Sequence, residues 1–255
     1  TLGSTSIIAT DKTATLTEGK MKVGEILGDK FFTLKAAVLT TEAFIENPDS
    51  PKEKWIIRGK PTDKALLEAG LEAGINHKRE FEKKKLAEIP FNSINKFSAA
   101  LYEEDEGRFL YLCGAPEKVL ELSDLLEEEK AKWEKILEEL ARQGLRIVAS
   151  AYKKTDTIDA IGNLTFAGFI TLKDPIRKDA REAIRVCREA GMRPIIVTGD
   201  HKLTAKAIAR ELNLTCREEN IIEGQELEKL SNEEFQKRLE KIEIYARVEP
   251  AQKLR

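Results

Sequence analysis

Cysteine, histidine and methionine are scarce in this chain of 255 residues, numbering three, two and two. Cys113, Cys187 and Cys216 are odd in number and far apart, which argues against a disulfide framework or a zinc site and suits a reducing compartment. His77 and His201 are too few for a histidine metal site or a Ser-His-Asp triad, and read as a surface position and a helix start. No run approaches the roughly 18 to 20 consecutive apolar residues of a membrane span, and no basic-then-apolar leader opens the chain, so as given it reads as soluble. Charge of one sign is also missing. The 43 basic residues nearly cancel the 45 acidic ones, so no global field draws the chain to nucleic acid or an anionic membrane, and any binding of polyphosphate must be local. Neither Gly-x-x-x-x-Gly-Lys-Ser/Thr nor Gly-x-Gly-x-x-Gly occurs, so nucleotide use through those loops is not indicated.

What is present is an alternation. Ser6 to Thr10 is a short apolar run that stops at Asp11 and opens into small and hydroxylated residues, the pattern of a buried strand ending in a polar loop. Ligands of open parallel α/β sheets collect at such strand ends, so Asp11 is well placed for chemistry. The same grammar returns at Arg193 to Val197, which runs into Thr198-Gly199-Asp200 and a helix with Leu203, Ala207, Ile208 and Leu212 at helical spacing. Asp200 or a neighbour caps that helix, whose start suits a phosphate. Phe166 to Leu172 reads as a preceding strand and Asp179 to Ala190 as a helix with Ala180, Ala183, Ile184, Cys187 and Ala190 on its apolar face. A short strand near Ile244 to Val248 completes an α/β order from about residue 165.

The middle differs. Phe97 to Tyr102 and Arg108 to Leu112 flank a charged turn, a hairpin signal, while Thr62 to Gly70 and Glu128 to Gln143 have helical spacing. We therefore expect an α+β domain, residues 25–164, inserted into an α/β domain formed by residues 1–24 and 165–255.

Asp11-Lys12-Thr13-Ala14-Thr15-Leu16-Thr17 resembles the phosphorylation motif of P-type ATPases, Asp-Lys-Thr-Gly-Thr-Leu-Thr, at six of seven positions. Further matches follow in the family's order: Lys60-Pro61-Thr62-Asp63, Pro90-Phe91 with Lys96, Gly114-Ala115-Pro116-Glu117, Gly144-Leu145-Arg146, Asp174-Pro175-Ile176-Arg177, Thr198-Gly199-Asp200, and Ala246 to Pro250 with Lys253. The resemblance spans nearly the whole chain and points to the group of calcium, sodium and proton pumps.

It implies a haloacid-dehalogenase-like, Rossmannoid phosphorylation domain with an inserted α+β nucleotide-binding domain. Asp11 would be the nucleophile that takes the γ-phosphoryl group of ATP as an aspartyl phosphate. Asp11 and the carbonyl of Thr13 would ligate Mg2+, the catalytic Thr13 would also offer its hydroxyl to the phosphate, Thr198, Gly199 and Asp200 would form the phosphate-binding segment, and Lys253 would neutralise charge developing in transfer. In the inserted domain Phe91 would stack on adenine, Asp63 would meet its amino group, Lys96 and Gly114 would line the pocket, and Arg146 would engage phosphates. Closure of the two domains would bring the γ-phosphate to Asp11. Implied partners are ATP and the transmembrane and actuator domains of the same parent chain, with no nucleic acid. The chain itself is expected to be a monomer at the cytoplasmic face of a membrane.

Three departures stand out. Ala14 occupies a position where the family usually has Gly, and Cys113 one where it usually has Lys. The match also stops at Arg255, before the family's Gly-Asp-Gly-x-Asn-Asp segment, so the 255-residue chain is expected to bind nucleotide weakly and turn over slowly or not at all. Two rivals are a soluble phosphatase of the same superfamily and a non-catalytic nucleotide-binding module. Thr13 stands where such phosphatases carry an acid/base Asp, which disfavours the first; the second takes Ala14 and Cys113 as marks of lost catalysis.

Overall fold

A computed structural model describes residues 5–75, 84–214 and 217–253, apart from the side chains of Pro250 and Lys253. The chain divides into two compact units: residues 1–20, 142–144 and 174–255, and residues 21–141 and 145–173.

The first unit is built on four parallel strands in the order β1 (Ile7–Asp11), β10 (Arg193–Val197), β12 (Ile244–Ala246), β11 (Ile221–Glu223). Side chains alternate across a strand, and the sheet is covered on both faces accordingly. Ile196, Ile221, Ile244 and Ala246 pack with Ala180 and Ile184 of α5 (Ala180–Glu189) and with Ala205, Ile208 and Ala209 of α6 (Lys202–Glu211). Ile195, Ile222 and Tyr245 pack instead with Leu227 of α7 (Gly224–Lys229) and Phe235 of α8 (Asn232–Leu239). The buried stripe of α5 is narrower than its sequence suggests: Ala183 and Ala190 are exposed and Cys187 is half-buried. A short last helix, α9, spans Pro250–Lys253.

The second unit is a six-stranded antiparallel sheet ordered β2 (Lys22–Gly28), β9 (Thr165–Lys173), β8 (Arg146–Lys154), β7 (Gly107–Gly114), β6 (Phe97–Glu104), β5 (Lys85–Ile89). Cys113, Val148, Ile170 and Leu172 face α1 (Lys30–Leu39) and α2 (Pro61–Glu72). Leu110, Leu112, Ala149, Ala151 and Phe169 face α3 (Pro116–Leu122) and α4 (Glu127–Arg142). The hairpin of β6 and β7 forms as expected, turning at Asp105-Glu106 with Gly107 at φ 119°. A separate two-stranded ribbon pairs β3 (Phe44–Ile45) with β4 (Ile57–Arg58).

One expectation is overturned. Phe166 to Leu172 does not open the α/β layer; as β9 it lies between β2 and β8 in the antiparallel sheet. Buried on both faces, it carries the continuous apolar run that a parallel strand also carries, and pattern alone does not tell the two apart.

Candidate functional site

Among the described residues, the positions singled out in the sequence fall into one candidate site in each unit. In the first, parallel pairing fixes the geometry. The register runs from Ile7↔Arg193 to Asp11↔Val197, and Val197 is in turn opposite Tyr245, so Asp11 lies beside the strand end from which Thr198-Gly199-Asp200 departs. Backbone bonds lace these ends together: Thr198 N–H donates to Tyr245 O (2.8 Å), Val248 N–H to Thr198 O (3.1 Å) and Arg247 N–H to Asp200 O (2.8 Å). Asp11 and Thr13 are exposed, while Thr198 is buried at 2 % exposure.

Asp200 is held by two neighbours. Its carboxylate takes an ion pair from the buried Lys12 ammonium at 2.6 Å, and the Thr198 hydroxyl donates to it at 3.1 Å. Lys12 was named in the motif without a role; the pairing of β1 with β10, which ends at Asp11↔Val197 and brings the loops that follow the two strands together, is not visible in local sequence. The cap of α6 is His201, whose Nδ1 accepts from Leu203 N–H at 3.2 Å.

The loop after Asp11 is held from a distance in sequence. Thr17 N–H reaches back to Lys12 O at 3.1 Å, making a wide turn in which Ala14 sits at φ 60°, ψ 5°. Asp174 braces its end, accepting from the Thr17 hydroxyl (2.6 Å), Gly19 N–H (2.9 Å) and Lys20 N–H (3.2 Å). Arg177 donates to Ala14 O at 3.1 Å. Asp174 and Arg177 fall in one matched motif, yet only the fold reveals what they hold.

Among the described residues no group of three or more His, Cys, Asp or Glu is gathered to hold a metal. The groups that the resemblance assigns to a metal there, the Asp11 carboxylate and the Thr13 carbonyl, are hard oxygens. That set fits Mg2+, which takes few protein ligands and keeps water and phosphate for the rest. The side chain of Lys253 lies outside the described residues, as do His77 and Cys216.

The second unit holds a cleft of about 490 Å3. Of the five residues assigned there from the resemblance, Asp63, Phe91, Gly114 and Arg146 line it and Lys96 does not. Lys96 closes a turn in which Asn92 Oδ1 accepts from Ile94 and Asn95 N–H. At φ 59° it gives its carbonyl to Ala115 N–H (2.8 Å), and the residue is exposed. Gly114 is required by close approach, since a Cβ there would lie 2.5 Å from both the Lys96 carbonyl oxygen and Phe97 Cβ. Phe91 is 51 % exposed, an aromatic face left open at the cleft.

Asp63 lies in the first turn of α2, and burial raises its carboxyl above the usual range; the Lys60 charge pulls it back and the Glu42 charge adds to the rise. Cys113 is buried against the cleft, and burial pushes its thiol up to about 12. It therefore meets a ligand as a small apolar surface and not as a thiolate. Glu42 and Lys60 also line the cleft, paired at 2.8 Å. Glu42 carried no signal in the sequence, because it enters from the segment after α1.

A profile of the family described as "P-type ATPase, cytoplasmic domain N" matches residues 32–179. Among curated proteins, the chain is 32% identical over 303 residues to a calcium-transporting ATPase of Bacillus subtilis, covering 100% of the chain and 34% of that protein. It is 32% identical over 280 residues to calcium-transporting ATPase 1 of Lactococcus lactis, covering 100% of the chain and 32% of that protein. With a probable cation-transporting P-type ATPase of Mycoplasma genitalium it shares 36% identity over 267 residues, 100% of the chain and 29% of that protein. The chain thus spans about a third of the length of these relatives. No helix among the described residues is long and apolar enough to cross a membrane.

Proposed function

The chain belongs to the family of the P-type ATPase cytoplasmic domain N, and from that premise we propose that it is the ATP-binding and phosphoryl-accepting part of a cation pump. The observation that carries this reading is the cleft of the second unit, whose lining combines an exposed aromatic side chain, Phe91, a partly buried carboxyl, Asp63, and a guanidinium, Arg146. Phe91 would stack on adenine, Asp63 would accept from its exocyclic amino group, and Arg146 would grip phosphate oxygens in a planar fork. The second unit is then the nucleotide-binding domain, and the first a haloacid-dehalogenase-like phosphorylation domain.

In the first unit, a carboxylate oxygen of Asp11 would attack the γ-phosphorus. The new P–O bond forms as the bond to the bridging oxygen of ADP breaks, and ADP leaves with that electron pair. The Asp11 carboxylate and the Thr13 carbonyl would hold Mg2+, which spreads the charge of the transferring group. Lys12 keeps the Asp200 carboxylate neutralised beside Asp11, so an incoming phosphate meets less repulsion there. Asp174 and Arg177 fix the loop that carries Thr13. Transport of a cation, Mg2+ dependence, coupling to membrane and actuator segments of a longer parent chain, and residence at the cytoplasmic face of a membrane belong to the same proposal.

The test is transfer of label from γ-32P-ATP to the protein with Mg2+, in the longest form of the parent chain that can be purified. Acid-stable, hydroxylamine-labile label that Asp11→Asn abolishes supports the reading. Label that survives Asp11→Asn would refute the assignment of the nucleophile.

A further inference from the structure

Four charged side chains among the described residues line the cleft: the carboxylates of Glu42 and Asp63, and the cations of Lys60 and Arg146. Lys60 and Asp63 lie three residues apart at the start of α2 and so project toward the same side. Glu42 comes from the segment after α1, and its Oε2 lies 2.8 Å from Lys60 Nζ. Both partners remain largely in solvent, with side-chain exposures of 64% for Lys60 and 46% for Glu42. An exposed pair of this kind is weak and exchanges partners readily.

The charges of the lining sum to zero, two cations against two carboxylates. If Lys60 stays with Glu42, a polyphosphate in the cleft meets Arg146 with the Asp63 carboxyl as its counterweight, which leaves almost no net attraction for a ligand of several negative charges. The ammonium of Lys60 is the nearest remedy, because it already lies on the lining and gives up only an exposed carboxylate.

We propose that Lys60 is a second cationic contact for the phosphates of the bound nucleotide, held on the rim by Glu42 until the ligand displaces that carboxylate. This rests on the nucleotide reading of the cleft given above. Lys60 then sets the preference of the cleft for ATP over adenosine, and Glu42 acts through Lys60 as a positioning residue.

The test is calorimetric titration of the 255-residue chain with adenosine, AMP and ATP at two salt concentrations, for the wild type, Lys60→Met, Glu42→Gln and the double variant, with Phe91→Ala as the control for the base. Lys60→Met should weaken ATP roughly 3- to 10-fold, leave adenosine unchanged and flatten the salt dependence of ATP binding. Glu42→Gln should tighten ATP, and that gain should shrink when Lys60 is already Met. Equal ATP affinity in wild type and Lys60→Met, with Phe91→Ala weakening both ligands, would overturn the role of Lys60 and leave the cleft reading intact. An equal loss for adenosine and ATP in Lys60→Met would overturn it as well, by assigning Lys60 to the base. Absence of binding by any of the three ligands to the folded wild type would overturn the cleft reading and this inference together.

Discussion

Replacing Ala14 by glycine should stabilise the protein, although it removes a side chain. Ala14 sits at φ 60°, ψ 5° in the loop after Asp11, where its Cβ crowds the neighbouring carbonyl. For an L-residue this costs roughly 1 to 2 kcal/mol. Glycine removes that strain and gives back about 0.4 to 1 kcal/mol through the greater freedom of the unfolded chain. The net gain is about 0.5 to 1 kcal/mol, a rise of roughly 1 to 4 °C in Tm for a chain of this size. The neighbourhood supplies a second handle. A Cβ built on Gly19 would lie 2.9 Å from Ala14 Cβ and 3.2 Å from its Cα, so Gly19→Ala should clash in the wild type and cost less once Ala14 is glycine. Gly19 itself is at φ 70°, so some strain persists in both backgrounds. The assay is urea or thermal unfolding of the four proteins of the cycle. A destabilising Ala14→Gly, or a cycle with no coupling, would refute the strained-loop argument.

Three further outcomes follow from the same geometry. Asp174→Ala removes the acceptor of three hydrogen bonds, two of them at exposed backbone N–H groups that water can satisfy, and should cost about 2 kcal/mol, read as a lower unfolding midpoint. Asp174→Asn, which keeps one acceptor oxygen, should cost less. Cys113, with its thiol pushed up to about 12, should resist alkylation from pH 7 to 9 in the native protein and label fully in denaturant, whereas half-buried Cys187 labels before it; peptide mapping by mass spectrometry reads both. Early native labelling of Cys113 would contradict its burial. Asp63 binds its proton more tightly folded than unfolded, so between the ordinary carboxylate range and its raised folded value the native state carries more protons. Its contribution to stability therefore grows as pH falls through that window and is lost as pH rises. Asp63→Asn should flatten that slope in unfolding curves taken across acidic pH, and an unchanged slope would remove Asp63 as its source.

The chain's local grammar carried some of this and not the rest. Strand ends at Asp11 and Val197, the helix from Pro61, the amphipathic helix from Glu127 and the β6–β7 hairpin were legible, because each is written in a short period or a turn signal. The membership of β9 was not, since a strand buried on both faces reads alike in either kind of sheet. At the first site the motif residues were visible, but the Lys12–Asp200 pair and the Asp174 brace join positions 188 and 157 residues apart, and only the pairing of β1 with β10 and of Thr17 with Ile176 brings them together. The cleft residues Asp63, Phe91, Gly114 and Arg146 came from the family motifs. Glu42 lies in a loop with no periodic signal, and the Asn92 turn that precedes Lys96 rests on hydrogen bonds too local to show in apolar pattern.

The central claim is that the cleft of the second unit holds ATP, and direct calorimetry of the chain with ATP, beside Phe91→Ala and Arg146→Ala, tests it. Saturable binding that both substitutions weaken, Phe91→Ala for adenosine as well as ATP and Arg146→Ala for ATP alone, is the predicted result. A folded protein that binds no ATP, or binds it equally well in all three forms, would contradict the account.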